Sequence, residues 1–183
     1  MTGVLVTGFE PFGGSDVNTS QQIVEAIGGV VLPVSYARVA DALVEAVRAA
    51  DPGVVICFGQ ADRNAISVER FALNLDGSES EDNDGVVSAA EIDPDGPVAY
   101  RSTLPVDAIV AAVLAEGIPA EASRSAGGFL CNRAFYVLMS LLERERPGTS
   151  GGFVHVPEDM PSEELVRAAR VIVAACVPLR SSS

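Results

Sequence analysis

Histidine occurs once in this chain, at position 155. Any acid or base chemistry near neutral pH that relies on an unshifted side chain therefore falls to that imidazole. His155 stands in Gly151-Gly152-Phe153-Val154-His155-Val156-Pro157, a short apolar run bounded by turn-formers. Taken alone, a satisfied or exposed imidazole without a task is the more ordinary reading of it. The reactive thiol candidate is Cys131, which ends Ser125-Ala126-Gly127-Gly128-Phe129-Leu130-Cys131 and precedes apolar residues at helical spacing. That pattern predicts a place at or near the first turn of a helix. Unpaired backbone N–H groups and the positive end of the helix dipole would favour a thiolate there. Free thiols titrate near about 8.5, and such positions can lower that to roughly 3.5–7.5. The same N–H groups could stabilise an oxyanion formed on an attacked carbonyl. An inert buried cysteine is the alternative.

A Cys–His pair needs a group that holds the imidazole in its productive tautomer, commonly a carboxylate. Glu69 is the best candidate, because with Arg70 it interrupts the strand-like Ile66-Ser67-Val68 just after the Gly59-Gln60-Ala61-Asp62-Arg63 turn. A solvated Glu69–Arg70 face is the competing reading. Cys57 and Cys176 lie inside apolar runs and read as core packing. Gly8-Phe9-Glu10-Pro11-Phe12-Gly13-Gly14 follows the first strand but does not match a dinucleotide-binding loop, since two rings and a proline cannot hug a pyrophosphate. Phe9 and Phe12 suit the wall of a small apolar pocket, or a packed turn.

These residues need a scaffold that alternates strands and helices. Val4–Gly8 reads as a buried strand, followed by a helix over Gln21–Ile27 capped by Thr19 or Ser20. Val30–Val39 reads as extended, Ala40–Ala50 as a helix stopped by Asp51-Pro52-Gly53, and Val54–Phe58 as a central strand closed by Gly59. Ile66–Leu75 alternates like one strand. Asp76–Gly96, rich in Ser, Asp and Gly, reads as a solvated loop or flap. Helices are predicted over Val106–Glu116, Asn132–Glu145 and Ser162–Val173, with extended segments at Pro119–Ser125 and Phe153–Val156 and a frayed tail at 179–183. The expectation is an α/β fold, one three-layer α/β/α domain over residues 1–183 with a mixed, partly parallel central sheet.

At 183 residues, 48% of them hydrophobic, the chain can bury a sizeable core. A net charge of -13 repels phosphate backbones, so nucleic-acid binding is not expected. Every cationic side chain is Arg, which excludes a lysine Schiff base and a P-loop. Three widely spaced cysteines without CxxC or His clusters imply neither a disulfide framework nor a zinc site, and no run reaches the length of a membrane span. A cytoplasmic, reducing location is expected.

The ordered blocks Val6-Thr7-Gly8-Phe9-Glu10-Pro11-Phe12-Gly13-Gly14, Asn18-Thr19, Arg63 through Glu69-Arg70, Ser125-Ala126-Gly127 to Cys131-Asn132, and Phe153-Val154-His155-Val156-Pro157 resemble pyroglutamyl peptidase I, the pyrrolidone-carboxylate peptidase family of cysteine peptidases. The resemblance implies removal of an N-terminal pyroglutamyl residue from peptides through a thioester intermediate. It assigns Cys131 as nucleophile, His155 as base and Glu69 as the residue orienting it, with no cofactor and no metal. It implies substrate contacts from Phe9, Phe12, Asn18, Gln60, Arg63 and Leu130, and assembly into a homo-oligomer. Two departures stand out. The usual Ala-Arg-x-Pro-Asp-Asn-x-Gly reads Ser78-Glu79-Ser80-Glu81-Asp82-Asn83-Asp84-Gly85, and Ser-Asn-Ser-Ala-Gly reads Ser123-Arg124-Ser125-Ala126-Gly127. A homologue that binds pyroglutamyl-like ligands without turnover is therefore the alternative expectation.

Overall fold

Val54-Val55-Ile56-Cys57-Phe58 is apolar at every position because both of its faces are covered. Val55 and Cys57 pack into one buried cluster, while Val54, Ile56 and Phe58 pack into another. The computed structural model describes residues 3–177, so the expected tail at 179–183 lies outside the described residues. Its elements run β1 (Val4–Phe9), α1 (Thr19–Ile27), β2 (Val30–Leu32), α2 (Val39–Ala50), β3 (Val54–Ala61), β4 (Ile66–Glu69), β5 (Phe71–Leu73), β6 (Ala99–Arg101), α3 (Val106–Ala115), β7 (Ala120–Ser123), α4 (Leu130–Glu145), β8 (Ser150–Pro157) and α5 (Ser162–Cys176).

Six strands form one sheet in the order β2-β1-β3-β8-β4-β7. Its neighbours are parallel except β4 and β8, which are antiparallel. Helices α2 and α4 cover one face through Leu43, Val47, Phe135, Leu138 and Leu142. The other face is covered by α1, α3 and α5 through Ile23, Ile109, Val113, Leu165 and Ile172. The result is a three-layer α/β fold with a mixed, mostly parallel sheet. Because β1 pairs with both β2 and β3, the strand order reverses at β1, and the carboxyl ends of β1, β3 and β8 open onto a crevice.

Several expected boundaries shift. Asn18, not Thr19 or Ser20, caps α1: its Oδ1 accepts hydrogen bonds from Ser20 N at 2.9 Å and Ser20 Oγ at 2.7 Å. The extended stretch from Val30 stops at Leu32, and β3 continues through Gly59 to Ala61. Helix α5 runs on to Cys176, and β8 covers Ser150–Pro157 rather than Phe153–Val156 alone.

The expected strand Ile66–Leu75 breaks at Arg70. Arg70 N donates to Ser123 O, whereas Arg70 O accepts from Ser102 N, so the chain leaves the large sheet and pairs with β6. Asn132 fastens β5 to α4, accepting from Leu73 N and donating to the carbonyls of Leu73 and Leu75, each at 2.9 Å. The stretch 76–96 carries no regular element, but it is not simply solvated. Asp76 and Asp82 are buried, Asp76 against Arg133 at 2.8 Å and Ser88 Oγ at 2.8 Å. Asp82 accepts the backbone N–H groups of Tyr36, Asp84 and Val86 at 2.7–2.9 Å. Acids that find donors can be buried, and alternation of residue type does not report those donors.

Candidate active site

Side chains along β8 alternate between the two faces, which sends Phe153 and His155 toward α4 and Val154 and Val156 the other way. Gly59 of β3 is the register partner of His155. A Cβ on Gly59 would lie 2.8 Å from Cys131 Sγ and 2.7 Å from Phe153 Cζ, so the bare glycine lets the sulfur rest on the sheet beside the imidazole strand. Cys131 is the second residue of α4, with Phe129 at the N-cap position. The first backbone hydrogen bonds into this turn come from Asn132 N and Arg133 N to Phe129 O, which leaves the N–H groups of Leu130 and Cys131 ahead of them.

Antiparallel pairing sets Ser67 of β4 opposite His155. Glu69, two residues on, therefore shares the face of His155. Its Oε1 lies 2.7 Å from His155 Nδ1, with both side chains buried. A carboxylate only accepts, so the imidazole proton sits on Nδ1 and Nε2 is the free basic nitrogen. Arg63 Nη1 approaches the same Oε1 at 3.0 Å. Its remaining donors reach Ser123 Oγ at 3.2 Å and Ser125 O at 3.0 Å. The solvated Glu69–Arg70 face thus does not form: Glu69 is fully buried and Arg70 turns away to Asp107.

Burial, more than any charge, lowers His155 below its ordinary value, with Glu69 opposing and Arg63 assisting. Burial likewise pushes the Cys131 thiol up to about 12, reinforced by the charge of Glu69, against smaller opposite effects of Arg63 and the backbone N–H. Burial thus works against the help that the first turn of α4 offers a thiolate. Cys57 is raised to about 12 by burial, and Cys176 also to about 12. Both lie in the core, as their apolar surroundings imply.

Cys131 and His155 open onto one cavity of about 470 Å³. Phe9, Phe12, Asn18, Gln60, Arg63 and Leu130 line it too, so every residue singled out from the sequence meets at this place except Glu69, which stands behind His155. Their engagement differs. Asn18 is committed to its cap and to Glu10 O at 3.1 Å, and Arg63 to Glu69 and the 123–125 segment. Gln60 Oε1 accepts from Thr19 N at 2.9 Å, which leaves its amide nitrogen without that constraint. Phe12 packs on Phe129 with ring centroids 5.7 Å apart, and Phe129 meets Tyr36 edge-on at 5.9 Å. Phe129, Ser78 and Glu79 also line the cavity. Sequence reasoning passed over them: Phe129 carried a signal as part of the glycine-rich approach to Cys131, and the other two were hidden in an acidic run.

The sequence profile described as pyroglutamyl peptidase matches residues 2–169. The chain belongs to the pyroglutamyl peptidase family. It is 44% identical over 169 residues to the pyrrolidone-carboxylate peptidase of Streptomyces coelicolor, covering 86% of this chain and 78% of that protein. It is 47% identical to that of Clavibacter michiganensis, at 86% and 79% coverage. The crystal structure of pyroglutamyl peptidase I from Bacillus amyloliquefaciens superposes with a TM-score of 0.93 at 33% identity, over 96% of this chain and 94% of that one. The pyrrolidone carboxyl peptidase of Thermococcus litoralis gives 0.92 at 34% identity, over 96% and 93%. As a pyroglutamyl peptidase family member the protein is a hydrolase of the cysteine-peptidase class acting on peptides. Among the described residues no helix is long and apolar enough to cross a membrane.

Proposed function

We propose that Cys131, His155 and Glu69 act as nucleophile, general base and orienting carboxylate in the reaction that family membership assigns to this chain, hydrolytic removal of an N-terminal pyroglutamyl residue. The observation that carries this reading is the 2.7 Å contact between His155 Nδ1 and buried Glu69, with His155 and Cys131 lining one cavity.

In the proposed sequence the sulfur attacks the exocyclic carbonyl of pyroglutamate while its proton passes to His155 Nε2. Negative charge gathers on the carbonyl oxygen, where N–H groups at the start of α4 can meet it. Collapse breaks the C–N bond, and the imidazolium protonates the departing amine. Water then loses a proton to His155 and attacks the thioester, releasing pyroglutamate and returning the proton to sulfur. Glu69 accepts from Nδ1 throughout and stabilises each imidazolium. Phe9, Phe12, Phe129 and Leu130 offer the neutral lactam an apolar wall, and the Gln60 amide nitrogen is a donor for its ring carbonyl. Arg63 acts through Glu69 rather than on substrate.

Acid quench during turnover of a pyroglutamyl ester, followed by peptide mapping, tests the reading. A single pyroglutamyl acyl group on Cys131 is expected. An acyl group on another residue, or hydrolysis without any acyl-enzyme, would contradict it.

A further inference from the structure

We propose that Glu79 selects the residue following pyroglutamate in the substrate, favouring a cationic side chain over an acidic one, an inference that rests on the cavity being the pyroglutamyl site. Glu79 is the only acidic residue among those lining the cavity, and it is exposed there. No arginine lies within ion-pair distance of it among the described residues. The only guanidinium on the wall, that of Arg63, is bound to Glu69 and the 123–125 segment. Arg133 and Arg38, which meet the flanking acids of the same stretch, are held by Asp76 and Asp84. The cavity wall thus carries one exposed carboxylate that no arginine neutralises among the described residues.

That charge has nothing to read on the acyl half of the substrate, because the lactam ring is neutral and the lost N-terminal amine leaves no ammonium. Discrimination by charge can act only on the part that departs as the amine. The backbone carrying Glu79 is held well enough to make this a defined contact. Gly77 N donates to Gly128 O at 2.9 Å, and a Cβ on Gly128 would meet the Gly77 backbone at 2.8 Å, so the two segments touch without side chains between them. Beyond Glu79, Asp82 gathers three backbone N–H groups and Asn83 bonds Glu10 Oε1 at 3.0 Å and Pro11 O at 2.9 Å. Glu79 is therefore suspended between Asp76 and Asp82, both buried and both anchored. Low-dielectric walls concentrate its field toward the opening, whereas solvent at the mouth limits its strength.

The test compares kcat/KM for pyroglutamyl-arginyl, pyroglutamyl-alanyl and pyroglutamyl-glutamyl amides, whose capped C-termini remove any other charge difference. The arginyl amide is expected to exceed the glutamyl amide by about 3- to 10-fold at low salt, and the preference to shrink at about 1 M ionic strength, where screening lengths fall to about 3 Å. Glu79→Gln should bring the ratio toward one, and Glu79→Arg should invert it. Reading a ratio within each variant removes any effect of the substitution on folding. Turnover of all three amides at equal efficiency, or an unchanged ratio in Glu79→Arg, overturns the selection by Glu79 and leaves the peptidase reading intact. Failure to cleave even the alanyl amide overturns both.

Discussion

Gly59 of β3 lies directly beneath the Cys131 sulfur at the start of α4: a methyl group on Gly59 would stand 2.8 Å from it. Gly59→Ala should therefore push the sulfur off its seat beside the His155 strand. Kinetics and urea denaturation of the same preparation should show kcat/KM lower by about 100-fold, with stability reduced by about 1–3 kcal/mol. Wild-type kinetics in the alanine variant would show that the seat does not matter.

Glu69→Gln keeps the size of the side chain but removes the charge that stabilises imidazolium. The expected result is a fall in kcat of about 10²- to 10⁴-fold with a much smaller change in KM. An effect confined to KM would move Glu69 from the proton pathway to substrate binding.

The pH dependence follows from burial. His155 is lowered below its ordinary value of about 6.5, and only its neutral form can take the thiol proton, so kcat/KM should fall as pH drops through a midpoint below about 6.5. With the thiol raised to about 12, no increase from thiol ionisation should appear between about pH 7 and 9. The same burial sets a stability trend. The unfolded chain takes up a proton at about 6.5 and the folded chain only at lower pH, so the His155 contribution to stability is lost as pH falls through that interval. Comparing wild type with His155→Gln in denaturant melts at several pH values isolates it.

Asp82 satisfies three backbone N–H groups and fixes one end of the stretch that carries Ser78 and Glu79. Asp82→Ala should lower unfolding free energy by about 1–3 kcal/mol and raise KM more than it lowers kcat. Faster amide hydrogen exchange at Tyr36, Asp84 and Val86 would report the same loss locally.

Much of this was legible in the residues. Apolar runs of strand length between helical stretches define the α/β framework, while one histidine and a glycine-rich approach to a cysteine at helical spacing mark two candidates that the family resemblance pairs. The carboxylate partner was legible as a position but not as an environment. Alternation puts Glu69 on the face of Ser67, but which strand lies alongside, and that Arg63 shares its oxygen, depend on the antiparallel β4–β8 pairing. The break at Arg70 left no mark because Ile66–Leu75 alternates through it, and β6 is three residues long without an apolar pattern. The buried Asp76 and Asp82 looked solvated because alternation of residue type does not report their donors, one of which for each acid, Arg133 and Tyr36 N, lies far off in the chain. The helix start at Cys131 was visible in the residues, whereas the burial that pushes its thiol up was not.

Release of the fluorophore from a pyroglutamyl-aminocoumarin amide by the reduced, folded protein tests the central claim most directly when Cys131→Ser and Cys57→Ser are measured beside it. The account predicts turnover in the wild type, retention of it in Cys57→Ser, and none in Cys131→Ser. A folded wild type that releases no fluorophore, or a Cys131→Ser variant that still does, would contradict it.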